Sequence, residues 1–378
     1  MVEHIVLSAP LFVAAFWSLQ LGLDYMAKPE RITLRLLLFM LTTAGLYFCH
    51  FIYFSLSGHA PLPVNVLYRF CNLAVFPLWH FYLCELTLHR RNRKELLLWL
   101  APAVLLAPTS LIWDGAIVIA RITFAVQAAL VLTQGWRMLR NYESAVASSY
   151  ADTEAYSLHA LRGLLLFLFL TTLASFTANL LGRERFISSV AMLTVPSMLF
   201  SVFIFMLGYE STRLLPKVTA VQEEVNKTNT CLCADRDDEE DAADLLPDNE
   251  NEKADYFTHL QREVLKAMDE EKLYLQPNLK ISDLARHLGS NRNYIWRAVN
   301  VGLGTSFSEL VNRRRIDHFI YLAKQNELSD MDYTWQKCGF TSASSFYRNF
   351  KLYRGCSPAE YFARTTKEEV SSCPALEE

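Results

Sequence analysis

Seven apolar segments precede Leu215, and they constrain the fold before anything else does. They run from about Ile5 to Tyr25, Leu34 to Leu56, Val64 to Leu86, Leu96 to Trp113, Ala116 to Trp136, Leu161 to Leu181 and Phe186 to Tyr209. A helix rises 1.5 Å per residue, so roughly twenty apolar residues cross a hydrocarbon core of about 30 Å. The sequence therefore predicts an all-α chain whose residues 1–216 form a seven-helix transmembrane bundle. The Leu96 segment is the weakest of the seven, because Pro102 and Pro108 lie inside it. The first segment is not read as a signal peptide, since Met1-Val2-Glu3-His4 carries no basic residue and more spans follow.

Basic residues orient this bundle. One side collects Lys28, Arg31, Arg35, Arg90, Arg91, Arg93, Lys94, Arg137, Arg140, Arg162, Arg213 and Lys217, whereas the other offers Arg183 and Arg185. By the positive-inside rule the amino terminus lies outside and the carboxyl terminus in the cytoplasm, which places the chain in the inner (cytoplasmic) membrane. Several polar groups sit within the spans, and a polar group in hydrocarbon is costly unless it is paired or faces the bundle interior. Arg69 and Glu85, with His50, His80, Arg121 and Asn179, are candidates for a ligand-sensing site. The alternative is structural: Arg69, Glu85 and Arg121 snorkel or pair, while Asn179 and Gln127 hold helices together.

Beyond Lys217 the composition changes. The net charge of -3 hides a division, because Asp235 to Asp255 holds eleven acidic residues against Arg236 and Lys253, whereas Arg286 to Arg354 holds eleven Lys or Arg against five acidic residues. Residues 217–255 read as an acidic flexible linker, residues 256–364 as a helical domain and residues 365–378 as a disordered tail. Periodicity resumes with Phe257, Leu260, Val264, Leu265 and Met268, which suit one helix ending before Pro277.

Residues 281–361 hold one pattern twice. Leu284, Ala285 and Leu288 share a helical face, Gly289 permits a tight turn, and Asn291 can cap a second helix that presents Arg292, Asn293, Trp296 and Arg297. Some fifty residues later, Gly339-Phe340 and a polar stretch lead into a helix with Phe346, Phe350 and Tyr353 on its apolar side. That helix offers Ser342, Ser344, Tyr347, Arg348 and Lys351 on the other side, Gly355 ends it, and Pro358 opens a last one. Between the two units, Phe307 to Gln325 suits one long core-facing helix, and Arg313-Arg314-Arg315 read as a dense positive patch, with Arg313 and Arg314 as phosphate contacts. Paired short helices with a basic polar face are how a protein enters successive major grooves of duplex DNA.

This stretch resembles the DNA-binding domain of the AraC/XylS family of transcription regulators. The resemblance rests on Leu284-Ala285, Gly289, Tyr294 and Arg297, on Gly304-Thr305-Ser306-Phe307, on Arg315-Ile316, and on Gly339-Phe340, Phe346, Arg348, Phe350-Lys351, Gly355 and Ser357-Pro358-Ala359-Glu360-Tyr361. It implies that the first unit meets DNA through Arg292, Asn293, Trp296 and Arg297, and the second through Ser342, Ser344, Tyr347, Arg348 and Lys351. The chain departs from the family pattern at Thr334, Trp335 and Asn300-Val301; Trp335 stands where a small residue is usual and is expected to push its helix outward.

No catalytic signature, phosphate loop or metal-ligand spacing accompanies these segments, and no cofactor is implied. Cys231 and Cys233 form a lone C-x-C in the polar linker, without a second pair. Joined together, the parts read as a membrane-anchored, sequence-specific transcription regulator and not an enzyme. Its partners are duplex DNA, the lipid bilayer and an unidentified signal molecule or membrane partner, and a homodimer is compatible with this reading. The alternatives are a transporter with a regulatory tail and a structural membrane protein with a decayed helix-turn-helix domain.

Overall fold

The structure is a computed structural model and describes residues 2–56, 60–87, 93–113, 115–181, 190–234, 250–325 and 331–371. Each apolar segment occupies a helix of its own: α1 (Val2–Ala27), α2 (Arg31–Ser55), α3 (Leu62–Leu86), α4 (Arg93–Thr109), α5 (Gly115–Ala147), α6 (His159–Leu181) and α7 (Val190–Ala234). Among the described residues, seven α-helices follow these: α8 (Glu250–Asp269), α9 (Ile281–His287), α10 (Arg292–Arg297), α11 (Phe307–Lys324), α12 (Met331–Lys337), α13 (Ala343–Arg354) and α14 (Pro358–Ser371). Among the described residues there is no sheet, only one isolated antiparallel bridge between Tyr150 and Lys280.

The expectation of seven spans is corrected to a smaller number by length and apolarity together. Among the described residues, three helices satisfy both: Arg31–Ser55, Gly115–Ala147 and Val195–Val221. The 17 residues of α4 reach only about 25 Å at 1.5 Å each, short of a 30 Å core. The linker expectation also changes, because α7 continues as helix through Ala234 where a tether was expected from Lys217. The most acidic part of that linker, residues 235–249, lies outside the described residues, as does the tail beyond Ser371, and α14 takes in residues 365–371.

The chain divides into two compact units: Met1–Tyr142 with Leu158–Ala220, and Glu143–Ser157 with Val221–Glu378. In the first, α3 is buried on every face from Cys71 onward, as a helix apolar all round must be. Trp79 of α3 packs at ring-centroid distances of 5.3 Å on Phe39, 5.4 Å on Tyr82 and 6.4 Å on Phe203. Large apolar side chains point outward around it, including Phe12, Leu19, Leu98, Val118, Leu170 and Val202. An apolar exterior of that extent belongs in lipid rather than in water.

The second unit has two cores that share one helix. Leu260, Val264, Ala267 and Met268 of α8 pack with Leu284, Ala285, Ile295, Val299, Phe307, Leu310 and Val311. The other half of α11 gives Ile316, Phe319 and Ile320 to a second core with Trp335, Cys338, Phe340, Phe346 and Phe350. Trp335 is therefore not a wedge: its indole is buried and is part of the core, so the expected outward push is absorbed by packing. Arg315 joins the halves. It is fully buried, donates from Nε to the Tyr274 carbonyl (2.7 Å) and from Nη2 to the Gln276 carbonyl (2.8 Å), and lies 5.5 Å from the Phe340 ring centroid.

Candidate nucleic-acid interface

The two helix-turn-helix units repeat each other in local geometry. In the first, α9 turns at Gly289 (φ 61°) and Asn291 caps α10 by accepting from the Asn293 N–H at 2.9 Å. In the second, α12 turns at Gly339 (φ 87°) and Ser342 caps α13 by accepting from the Ser345 N–H at 3.2 Å. Both turns need the left-handed backbone that glycine adopts without strain. At Gly339 a Cβ would also stand 2.6 Å from the Leu275 carbonyl oxygen, so the second turn closes directly on the segment that Arg315 holds.

The first unit presents a narrower face than its sequence implies. Trp296 is 40% exposed and Arg297 is exposed, but the Arg297 guanidinium lies 5.0 Å from the Phe257 ring centroid. Asn293 is half-buried, and its side-chain nitrogen is turned away from solvent. Arg292 is half-buried and donates from Nη2 to the Ser149 hydroxyl at 3.1 Å. The helix ends in a π turn at Ala298–Gly302, which carries the exposed Val301.

The positive patch of three arginines is also corrected. Arg315 is buried; Arg314 is bidentate on Asp269, with Nε at 2.6 Å and Nη2 at 3.2 Å, and so ties α11 to α8; Arg313 is exposed. Three consecutive helical residues point about 100° apart, so they cannot share one face. Burial lowers the Arg315 pKa to about 10, against the opposing pull of Asp152. Burial pushes the Cys338 thiol up to about 12, which keeps it from acting as a thiolate.

The second unit holds its polar residues together. Ser344, Tyr347, Arg348 and Lys351 are exposed along α13 and Ser342 is half-buried at its start. Each of the two serines meets Glu154: Ser344 Oγ donates to its carboxylate at 2.9 Å and Ser342 Oγ at 3.4 Å. Arg348 Nη2 donates to Thr153 Oγ1 at 3.4 Å. Asp152 accepts from Thr341 Oγ1 and, at 3.4 Å, from Ser345 Oγ. These acceptors lie in the segment between α5 and α6, which carries none of the candidate site residues.

That segment is built into the domain. The Ala151 N–H donates to the Leu279 carbonyl and the Ile281 N–H to the Ser149 carbonyl, both at 3.0 Å. The Ala151 carbonyl accepts from Ser308 Oγ at 3.0 Å and Asn312 Nδ2 at 2.7 Å. A signal for it existed in the sequence: Ser308, Asn312 and Arg315 place three polar groups on the buried side of a helix, and buried polar groups require partners.

The candidate sensing residues do not form one site. Arg69 and Glu85 are sixteen residues apart on α3, about 24 Å along the helix. Arg69 Nη1 donates to Ser110 at the end of α4, through both its hydroxyl and, at 3.3 Å, its carbonyl, whereas Glu85 pairs with Arg35 of α2 at 3.8 Å. His50 packs among Tyr47, Phe54 and Tyr68, and Arg121 is exposed. His80 is fully buried, stacks on Trp99 at 4.7 Å and has its Nε2 3.6 Å from Cys84 Sγ. Gln127 reaches the same region by donating to the Trp99 carbonyl at 3.2 Å. The Asn179 side chain lies outside the described residues. No cluster of His, Cys, Asp or Glu suited to a metal occurs among the described residues.

Comparison with known proteins meets the chain here. Residues 284–364 match the family model described as "Helix-turn-helix domain". Uncharacterized HTH-type transcriptional regulators of Staphylococcus aureus strains MSSA476 and N315 are each 28% identical over 89 residues, which is 24% of this chain and 12% of the relative. The chain thus spans about an eighth of the length of those relatives. No solved structure matches it. The carboxyl-terminal unit is a helix-turn-helix domain, and it follows helices long and apolar enough to cross a membrane.

Proposed function

We propose that this chain is a membrane-anchored transcription regulator of the AraC/XylS type, reading duplex DNA with both helix-turn-helix units. The observation that carries the reading is the repeated geometry, with a glycine turn and a side-chain-capped second helix in each unit, both packed on α11. The resemblance to HTH-type transcriptional regulators supports it. The apolar helices cross the inner membrane an odd number of times in this reading, with the amino terminus outside and the domain in the cytoplasm. The membrane unit senses a signal, and the polar cluster of His80, Cys84, Trp99 and Gln127 is a better candidate for that site than Arg69 with Glu85. The protein performs no catalysis and acts as a homodimer.

On the first unit, Trp296 is the base-facing residue, an apolar surface suited to a thymine methyl, and Arg313 is a phosphate contact. The test is a titration of the full chain in lipid nanodiscs against DNA from upstream of its own reading frame and against scrambled DNA, at two salt concentrations. Preference for the upstream DNA is expected. Arg313→Ala should weaken both DNAs alike and lower the salt slope by roughly one. Equal affinity for the two DNAs, unchanged by Trp296→Ala, would refute base reading.

A further inference from the structure

Residues Ser149–Tyr156 divide into a buried anchor and a partly exposed arm that carries Glu154. Ser149, Tyr150, Ala151 and Asp152 are all buried, and they are held by the Leu279, Ile281, Ser308 and Asn312 contacts and by Asp152 on Thr341 and Ser345. Thr153 and Glu154 are half-buried and lie on the amino-terminal end of α13. There the carboxylate takes the hydroxyl hydrogens of Ser342 and Ser344, and Thr153 takes an Arg348 N–H.

Serine hydroxyls at a helix start with an arginine one turn on are the donor set that phosphate oxygens use. Glu154 supplies the same chemistry as a phosphate, an anionic oxygen pair accepting charge-assisted hydrogen bonds. A duplex presents one negative charge per roughly 1.7 Å of axis, so its backbone cannot approach these donors while the Glu154 carboxylate remains among them. We propose that the Thr153–Tyr156 arm and duplex DNA are mutually exclusive occupants of the α13 surface, so that the arm is an internal competitor whose release opens the second unit. The inference rests on the DNA-binding reading above.

The anchor and the arm are predicted to behave differently. Asp152 is committed to the fold, where it opposes the buried Arg315 charge. Glu154 has no such duty, and the chain on either side of it runs into α5 and α6. The arm carries its own local hydrogen bonds, from the Glu154 N–H to Asp152 Oδ1 at 3.1 Å, from the Tyr156 N–H to the Thr153 carbonyl at 3.3 Å and from the Ser157 N–H to the Glu154 carbonyl at 3.2 Å. These amides report its state.

The test uses the full chain in nanodiscs, its own upstream DNA as the probe, and two measurements. Glu154→Gln removes the charge and is expected to tighten DNA binding about tenfold, the scale of one charge-assisted contact. Independently of any variant, adding DNA to the wild-type chain is expected to speed amide exchange at Glu154, Tyr156 and Ser157 while Ala151 and Ile281 stay protected. Bound DNA with arm amides as protected as in the free chain would overturn the proposal and leave the DNA-binding reading intact. Unchanged affinity in Glu154→Gln would overturn it likewise. Failure of both wild-type and variant chains to bind any duplex would overturn the DNA-binding reading itself, and this proposal with it.

Discussion

The second helix of the first unit, α10, is six residues long, is capped by Asn291 and passes into a π turn, whereas its counterpart α13 is twelve residues long and is capped by Ser342. The acidic segment meets α10 through Ser149 and Arg292, and meets the second unit at Thr341, Ser342, Ser344, Ser345 and Arg348. Two units built on one plan thus differ in how much of their polar face is already taken. The same local sequence logic sets a helix, a turn and a cap in each; what then distinguishes the units is a partner from elsewhere in the chain.

The largest expected effect abolishes the difference by removing both units. Arg315→Met takes the donors from the Tyr274 and Gln276 carbonyls and leaves Asp152 without its opposing charge, at a cost of about 3–5 kcal/mol. Hydrogen exchange in the full chain should then rise in α10 and α13 together. Trp335→Ala sharpens the contrast instead: truncating a buried indole costs about 3–5 kcal/mol, all of it in the second core. Protection should fall in α13 and hold in α10. Equal loss in both helices would mean that the cores are one cooperative block.

Cap substitutions come next. Asn291→Ala should cost about 1 kcal/mol in the first unit. Ser342→Ala should cost more, because the same hydroxyl accepts from the Ser345 N–H and donates to Glu154. Melting of the paired variants checks this, and equal losses would show that the Glu154 contact adds nothing. The smallest effect lies at the start of α14, where the Ser357 N–H donates to Glu360 at 2.9 Å and the Glu360 N–H to Ser357 Oγ at 3.3 Å. The Ser357 backbone and hydroxyl lower the Glu360 pKa, so its stabilisation is present above the unfolded carboxylate value and fades as pH falls through the folded one. Glu360→Gln should therefore lower melting slightly near neutral pH and leave it unchanged in acid.

Much of the carboxyl-terminal domain was legible because it rests on short-range rules. The capping role of Asn291, the turns at Gly289 and Gly339, and the apolar side of α13 with Phe346 and Phe350 each follow from neighbours a few residues away. Side-chain fates that depend on distant partners were not legible. Arg313, Arg314 and Arg315 read as one charge patch, yet Asp269 takes one and the Tyr274 and Gln276 carbonyls take another. Trp335 looked oversized only because the core that takes it is shared by α11, α12 and α13. The apolar runs located the helices, but hydropathy alone does not fix how many of them cross, since Arg69 and Glu85 of α3 find polar partners at Ser110 and Arg35 and α4 is short.

The most direct measurement of DNA reading by both units is hydroxyl-radical footprinting of the full chain in nanodiscs on its own upstream DNA. Two protected patches on one face of the duplex are predicted, about one helical turn or 10 base pairs apart, with Trp296→Ala erasing one and Arg348→Ala the other. A single patch, uniform protection, or a pattern indifferent to both substitutions would contradict it.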